Sequence, residues 1–141
     1  MGHGARVLID RLRMRKDNNK ALGQHFLNNE EILDETMRLA EVSSQDHVVE
    51  IGPGPGVLTE RLLETGCGLT SIEIDPEVCE FLRDNFPNLE LVEGDALEVK
   101  WPKANKVVAN IPYQISSPLI DVITRTNSID YVVILVQEEF A

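Results

Sequence analysis

Val48–Val49–Glu50–Ile51–Gly52–Pro53–Gly54–Pro55–Gly56, with Leu58, Leu62 and Leu63 close behind, reads as a buried strand that enters a glycine-rich turn and leaves it as a helix. Glycine suits such a turn because a side chain would hold the backbone away from a ligand and would resist positive φ. The two prolines stiffen it. This is the pattern of a loop that cradles a nucleotide-type cofactor. Glycines also collect at turns for purely structural reasons, so the flanking sequence has to decide the matter.

Upstream of the loop, Glu30 to Ala40 places Ile32, Leu33, Met37 and Ala40 on one helical face, with Asn28 or Asn29 available as the N-cap. Downstream, short β-branched runs alternate with helical stretches. The predicted strands are 47–51, 69–74, 89–93, 106–109 and 131–136. The predicted helices are 57–64, stopped by Gly66, then 76–85 with Pro76 in its first turn, and 117–124 with Leu119, Ile120 and Ile123 facing inward. Strands separated by helices imply a doubly wound, mainly parallel, Rossmann-like α/β sheet. The chain stops directly after the fifth strand, so the spacing predicts a fragment whose continuation would cover an open sheet edge.

Composition bounds the remaining possibilities. A chain of 141 residues with 43% hydrophobic content suits one domain. No run reaches the roughly 18 apolar residues of a membrane helix, and the expectation is a cytoplasmic, monomeric protein without a metal. Cys67 and Cys79 have neither metal-ligand spacing nor the partners of a disulfide framework, and are expected to be reduced thiols. The net charge of −11 argues at first against nucleic acid. It is unevenly distributed, however. Residues 1–25 hold Arg6, Arg11, Arg13, Arg15, Lys16 and Lys20 against Asp10 and Asp17, a net of +4 that leaves −15 to the remainder. A basic arm over residues 1–22, ahead of an acidic domain over residues 23–141, can follow an RNA backbone, although an arm without function would have the same composition.

Three acids belong with the loop. Glu73 closes the second strand about 20 residues beyond it, where Rossmann-like sites place the acceptor for ribose hydroxyls. Asp75 lies on the same side by alternation, but it precedes Pro76 and reads as a helix cap. Asp95, in Glu93–Gly94–Asp95–Ala96–Leu97, follows the third strand; it suits an adenine exocyclic amine, or else an Asx-turn. A dinucleotide dehydrogenase is the competing class. Its glycine pattern differs from Glu50–x–Gly–x–Gly–x–Gly, and the prolines here restrict the helix N-terminus that would receive a pyrophosphate.

The most specific segment is Asn110–Ile111–Pro112–Tyr113–Gln114–Ile115–Ser116–Ser117–Pro118, after the fourth strand. An adenine N6 amine is a poor nucleophile because its lone pair is delocalised into the ring. The Asn110 side-chain oxygen and the Ile111 carbonyl can draw its two N–H bonds, Pro112 helps aim that carbonyl, and Tyr113 can stack on an extruded base. Asn–Ile–Pro–Tyr resembles the catalytic motif of S-adenosylmethionine-dependent N6-adenine methyltransferases. Together with Gly23–Gln24–His25–Phe26–Leu27, Glu50–Ile51–Gly52–Pro53–Gly54, Gly94–Asp95–Ala96 and Gln137–Glu138–Glu139–Phe140–Ala141, in that order, it resembles the ribosomal RNA adenine N6,N6-dimethyltransferase family in its archaeal-like form.

That resemblance implies a class I methyltransferase fold and S-adenosylmethionine as cofactor. It implies His25, Leu27, Gly52, Gly54, Glu73, Asp95, Ala96 and Asn110 as cofactor contacts, and Phe26 and Tyr113 as the pair flanking the target base. The substrate it implies is two adjacent adenosines in a 3′-terminal hairpin of small-subunit rRNA, presented on a pre-30S-type particle. Bacterial members usually have Asn where His25 stands. Glu138 replaces a basic residue common in the family's last motif, which weakens a phosphate contact there. Two other readings stay open. One is a large-subunit methylase of the erythromycin-resistance type; the other is a noncatalytic RNA-binding assembly factor. Among the remaining residues, His3 and His47 are expected to carry no chemistry, and Trp101 is expected to cover a sheet edge.

Overall fold

The computed structural model describes residues 30–126 and 128–137. Its elements in chain order are α1 (Glu30–Ala40), β1 (His47–Ile51), α2 (Val57–Glu64), β2 (Gly68–Glu73), α3 (Pro76–Asn85), β3 (Glu90–Glu93), β4 (Lys106–Pro112), α4 (Tyr113–Thr124) and β5 (Tyr131–Gln137). The strands form one sheet in the order β3-β2-β1-β4-β5, every neighbouring pair parallel. The predicted Rossmann-like α/β class is what the chain forms. The chain winds outward from β1 to β3, then returns to β4 on the other side of β1, and this reversal opens a crevice at the carboxyl ends of β1 and β4.

The strands are apolar on both faces because both are covered. On one side Val48, Leu69 and Val108 meet Leu33 and Ala40 of α1, Val57, Leu58 and Leu62 of α2, and Val78, Phe81 and Leu82 of α3. On the other, Val49, Ile51, Ile72, Val107, Ala109 and Ile111 pack under Leu119 and Ile123 of α4 and under Ala96 and Ala104. Burying a side chain of the size of Phe81 or Leu119 contributes about 1.5–3 kcal/mol, so these two layers supply most of the cohesion.

Several boundaries differ from expectation. β2 runs one residue earlier than predicted, releasing Ile74, and β3 begins at Glu90. β4 continues through Asn110 and Ile111 to Pro112, paired in register with Leu135, Val136 and Gln137 of β5. The Asn–Ile–Pro–Tyr motif is thus the end of a strand and the first residue of a helix rather than a loop. α4 starts at Tyr113, a full turn before the predicted Ser117, and Pro118 lies inside it. Ile120 is 48% exposed, not inward, because the earlier start and the pairing of Leu119 with Ile123 set the buried stripe. The connection over residues 94–105 contains no helix. Trp101 packs there against the second apolar layer, its Nε1 donating to the Ala96 carbonyl at 2.8 Å. His47 opens β1 and its Nε2 lies 3.3 Å from the Thr70 hydroxyl. Asn28 and Asn29 fall outside the described residues.

The opposite, amino end of the sheet is locked by a polar network. Lys106 Nζ donates to the carbonyls of Ala40 and Glu41, which close α1, and pairs with Asp46 at 3.1 Å. Asn105 donates to Asp46 and accepts from the His47 backbone N–H. These partners hold the Asp46 carboxyl well below its usual range, at about 2, with the Asn105 amide the largest cause and the Ser43 N–H next.

Candidate active site

Register brings the chemistry-bearing residues to one level. Ile51 pairs with Ile72 on one side and Ala109 on the other, so the next residues, Gly52, Glu73 and Asn110, lie side by side at the carboxyl ends of three adjacent strands. Glu73 in turn is level with Glu93, after which Gly94 and Asp95 follow, the Gly94 N–H donating to the Glu73 carbonyl at 2.8 Å.

The loop after β1 needs its glycines. Gly52, Gly54 and Gly56 have φ of +72°, +54° and +86°, a region that L side chains rarely adopt. A Cβ at Gly52 would collide with the Asn110 carbonyl oxygen, and one at Gly56 with the Phe86 ring behind α3. The first glycine therefore lets the loop touch β4 at Asn110. The third seats the start of α2, while Pro53 and Pro55 are buried and hold the loop between them.

Two carboxyls lie under this loop. Glu73 is almost wholly buried; it accepts from the Gly54 N–H at 3.4 Å and the Asp75 N–H at 3.0 Å, and burial pushes its carboxyl above the ordinary range. Asp75 caps α3 as expected, accepting from the N–H groups of Glu77 and Val78. Glu50, the penultimate residue of β1, is 2% exposed. Its Oε1 accepts from the Thr59 hydroxyl at 2.6 Å and the Ser71 hydroxyl at 2.8 Å, while Oε2 is buried without a hydrogen-bond partner among the described residues. Burial pushes Glu50 up to about 7.

Asp95 Oδ1 accepts from the Leu97 N–H at 2.9 Å, and its carbonyl accepts from Glu98 and Val99. It therefore opens the turn that sequence reasoning weighed as the structural alternative, and that turn also presents Ala96, which is buried. Asn110 and Ile111 are buried, whereas Pro112 is exposed and Tyr113 is 68% exposed at the first position of α4. Gly52, Gly54, Glu73, Asp95, Ala96, Asn110, Ile111, Pro112 and Tyr113 thus share one rim. His25, Phe26 and Leu27 lie outside the described residues. Both cysteines are buried free thiols raised by desolvation, Cys79 to about 11, and are poor nucleophiles.

One residue escaped the sequence reading. Ile74, assigned there to the second strand, is 63% exposed between Glu73 and the Asp75 cap. The signal was present: with one neighbour buried as a carboxylate floor and the other committed to a cap, the residue between them is left facing out. The donor set fits a nucleoside cofactor, with a buried carboxyl held by two backbone N–H groups at the floor, a loop whose glycines stand at positive φ, and exposed Ile74 beside them.

The chain is similar to known proteins. The chain is 42% identical over 125 residues to the probable ribosomal RNA small subunit methyltransferase A of Pyrococcus abyssi, covering 87% of this chain and 46% of that one. It is 45% identical over 126 residues to the protein of the same name from Thermococcus kodakarensis, covering 87% and 44%. The chain therefore spans about half the length of the curated relatives it matches. Among solved structures, a dimethyladenosine transferase from Plasmodium falciparum superposes with a TM-score of 0.67 at 37% identity, over 77% of this chain and 42% of that one. The 23S rRNA methyltransferase ErmE gives 0.71 at 31% identity, over 77% and 46%. The family model described as ribosomal RNA adenine dimethylase matches residues 15–141, and the chain belongs to that family.

Proposed function

We propose that the chain is the cofactor-binding and catalytic half of an S-adenosylmethionine-dependent rRNA adenine-N6,N6-dimethyltransferase acting on two adjacent adenosines of a small-subunit 3′-terminal hairpin. The observation that carries this reading is the register that sets Gly52, Glu73 and Asn110 at one level, with Tyr113 exposed beside them. S-adenosylmethionine, when bound, supplies an electrophilic methyl on a cationic sulfur. Glu73 would accept the ribose hydroxyls, Gly52 and Gly54 would cradle the amino-acid end, and Ile74 would give the adenine an apolar face. Asp95 and Ala96 would border the cofactor's base, and His25 and Leu27 would complete its contacts.

The target N6 amine would donate one N–H to the Asn110 side-chain oxygen and the other to the Ile111 carbonyl, which Pro112 aims. Tyr113 and Phe26 would hold the base between them. Such acceptors pyramidalise the nitrogen, and placement supplies the rest, so no strong base is required. The partner in this reading is small-subunit rRNA within a precursor particle in the cytoplasm. The small-subunit target is preferred to the large-subunit one because the archaeal relatives with 87% coverage of this chain carry the small-subunit name.

Calorimetric titration with S-adenosylmethionine and with NAD, followed by labelled methyl transfer to undermethylated small-subunit particles, tests the reading. Saturable binding of the sulfonium cofactor, none of NAD, and transfer to two adenosines are expected. A folded chain that ignores S-adenosylmethionine would overturn it.

A further inference from the structure

The two layers that cover the sheet pack alike but differ sharply in charge. α1, α2 and α3 lie on one face and hold nine acids against Arg38, Arg61 and Arg83, a net of −6. The other face is covered by α4 and by the connection over residues 94–105. There Asp95 and Glu98 are balanced by Lys100 and Lys103, and Asp121 by Arg125, which closes α4 and pairs with it at 3.7 Å, so this layer is neutral. Lys100 and Lys103 are exposed, and no carboxylate pairs with either among the described residues. α4 also presents a stripe to solvent: Tyr113, Ser117, Ile120 and Thr124, spaced i, i+4, i+7 and i+11, are all exposed and uncharged.

A polyanion meets very different surfaces on the two sides. An α-helix with its side chains is about 10–12 Å across, so the outer surfaces of the two layers lie more than about 20 Å apart, over twice the screening length of roughly 8 Å at physiological salt. RNA on the α4 side is therefore largely shielded from the acids opposite, whereas RNA on the α1–α3 side faces them directly. The neutral layer is also continuous with the reaction site, since its exposed stripe begins at Tyr113. We propose that α4 and residues 94–105 form the RNA-docking face of the molecule, holding the nucleotides next to the target adenosine. This rests on the substrate reading given above and deepens it by fixing the side from which the strand enters. At 1.5 Å per residue, Ser117 and Ile120 stand about 6 and about 10 Å along the helix from Tyr113, the span of the next two or three nucleotides at about 3.4 Å each. Ile120 offers an apolar contact to a base and Ser117 a hydroxyl to a phosphate, while Lys100 and Lys103 meet phosphates on the same layer. Because the layer is neutral rather than basic, it sets the orientation of the strand and does not supply the bulk of the attraction.

Filter binding of the 141-residue chain to a small-subunit 3′-terminal hairpin tests this with variants of matched charge. Lys100→Glu with Lys103→Glu alters the neutral layer, and Arg38→Glu with Arg83→Glu the opposite one; each pair replaces two cations by two acids and takes the net charge from −11 to −15. The first pair should weaken binding at least about tenfold and lower the magnitude of the salt slope by about 1.5, two contacts at about 0.7–0.9 each. The second should stay within about threefold of the parent. Ile120→Glu and Leu39→Glu, both at exposed apolar positions, repeat the comparison with one added charge on α4 and one on α1. Thermal unfolding of each variant reports folding without reference to the cofactor, and either comparison stands if a variant of the other fails to fold. Equal losses on both layers, or none on the α4 side, overturn the docking face and leave the substrate reading intact. Unaltered binding of the isolated hairpin with reduced transfer to precursor particles would assign the layer to a protein of the particle, and overturns the RNA face as well. No hairpin binding by the parent chain at any salt would overturn both the face and the substrate.

Discussion

Glu73 and Asn110 stand at the same level of the sheet, yet their environments assign them different work. The Glu73 carboxyl is fixed by two backbone N–H groups and lies at the floor of the crevice. Removing it would delete the proposed acceptor for two ribose hydroxyls and leaves the Gly54 and Asp75 N–H groups without their partner. Each hydrogen bond to a charged group contributes about 1.5–3 kcal/mol, so Glu73→Ala should weaken S-adenosylmethionine binding by at least about tenfold. Unchanged affinity in calorimetry would remove the ribose assignment. In the proposed reaction Asn110 would offer its side chain to the incoming amine, and its backbone carbonyl meets Gly52. Asn110→Ala keeps that backbone. It should hold cofactor affinity within severalfold while lowering single-turnover methyl transfer by roughly a hundredfold or more, the cost of one preorganised polar group. Parallel losses of binding and transfer would mean that Asn110 only builds the pocket.

Among the elements, those with one strong local signal were legible and those where two signals compete were not. β1 and its loop, α2 closed by Gly66 and α3 capped by Asp75 all appear where the residues indicate. The β4–α4 junction does not, because Asn110, Pro112 and Pro118 each discourage the element that contains them. Pairing with β5 overrides the first two, and packing of Leu119 and Ile123 overrides the third. The polar lock at the amino end was also illegible, since Asp46, Asn105 and Lys106 are ordinary surface residues until the fold joins β1, β4 and α1. That lock makes a pH prediction. Asp46 has its carboxyl lowered from 3.8 to about 2, so its contribution is complete above pH 4 and is lost as pH falls from about 3.8 to 2. The side chains of Asp46 and Lys106 are only 12% and 13% exposed, so screening removes little of it. Asp46→Asn should lower unfolding free energy by about 2 kcal/mol at pH 7 and by much less near pH 2.5. Urea unfolding at both values measures this, and a pH-independent difference would show that the ionised Asp46 carboxyl, held first by the Asn105 amide and the Ser43 N–H, is not its source.

At the scale of the whole molecule the question is how a chain of net charge −11 would engage RNA, as the proposed function requires. The sheet and its helices hold most of the acid, and the crevice itself contains buried carboxyls that would repel phosphate. The six basic residues between Arg6 and Lys20 therefore have to supply most of the attraction if the chain binds RNA by itself, because nowhere else do six cations stand against two acids over so short a stretch. Each phosphate neutralised releases condensed counterions, and the logarithm of affinity falls with the logarithm of salt by about 0.7–0.9 per contact. Deleting residues 1–22 should consequently weaken binding to a small-subunit hairpin and reduce the magnitude of its salt slope by about three or more. S-adenosylmethionine affinity is the control: unless His25 and Leu27 are displaced by the cut, it should remain within severalfold. Filter binding from 50 to 300 mM salt separates the alternatives. A lower slope with intact cofactor binding identifies the arm as the RNA contact. An unchanged slope would mean that phosphates are met elsewhere on the acidic domain, and that the arm's charge has another use.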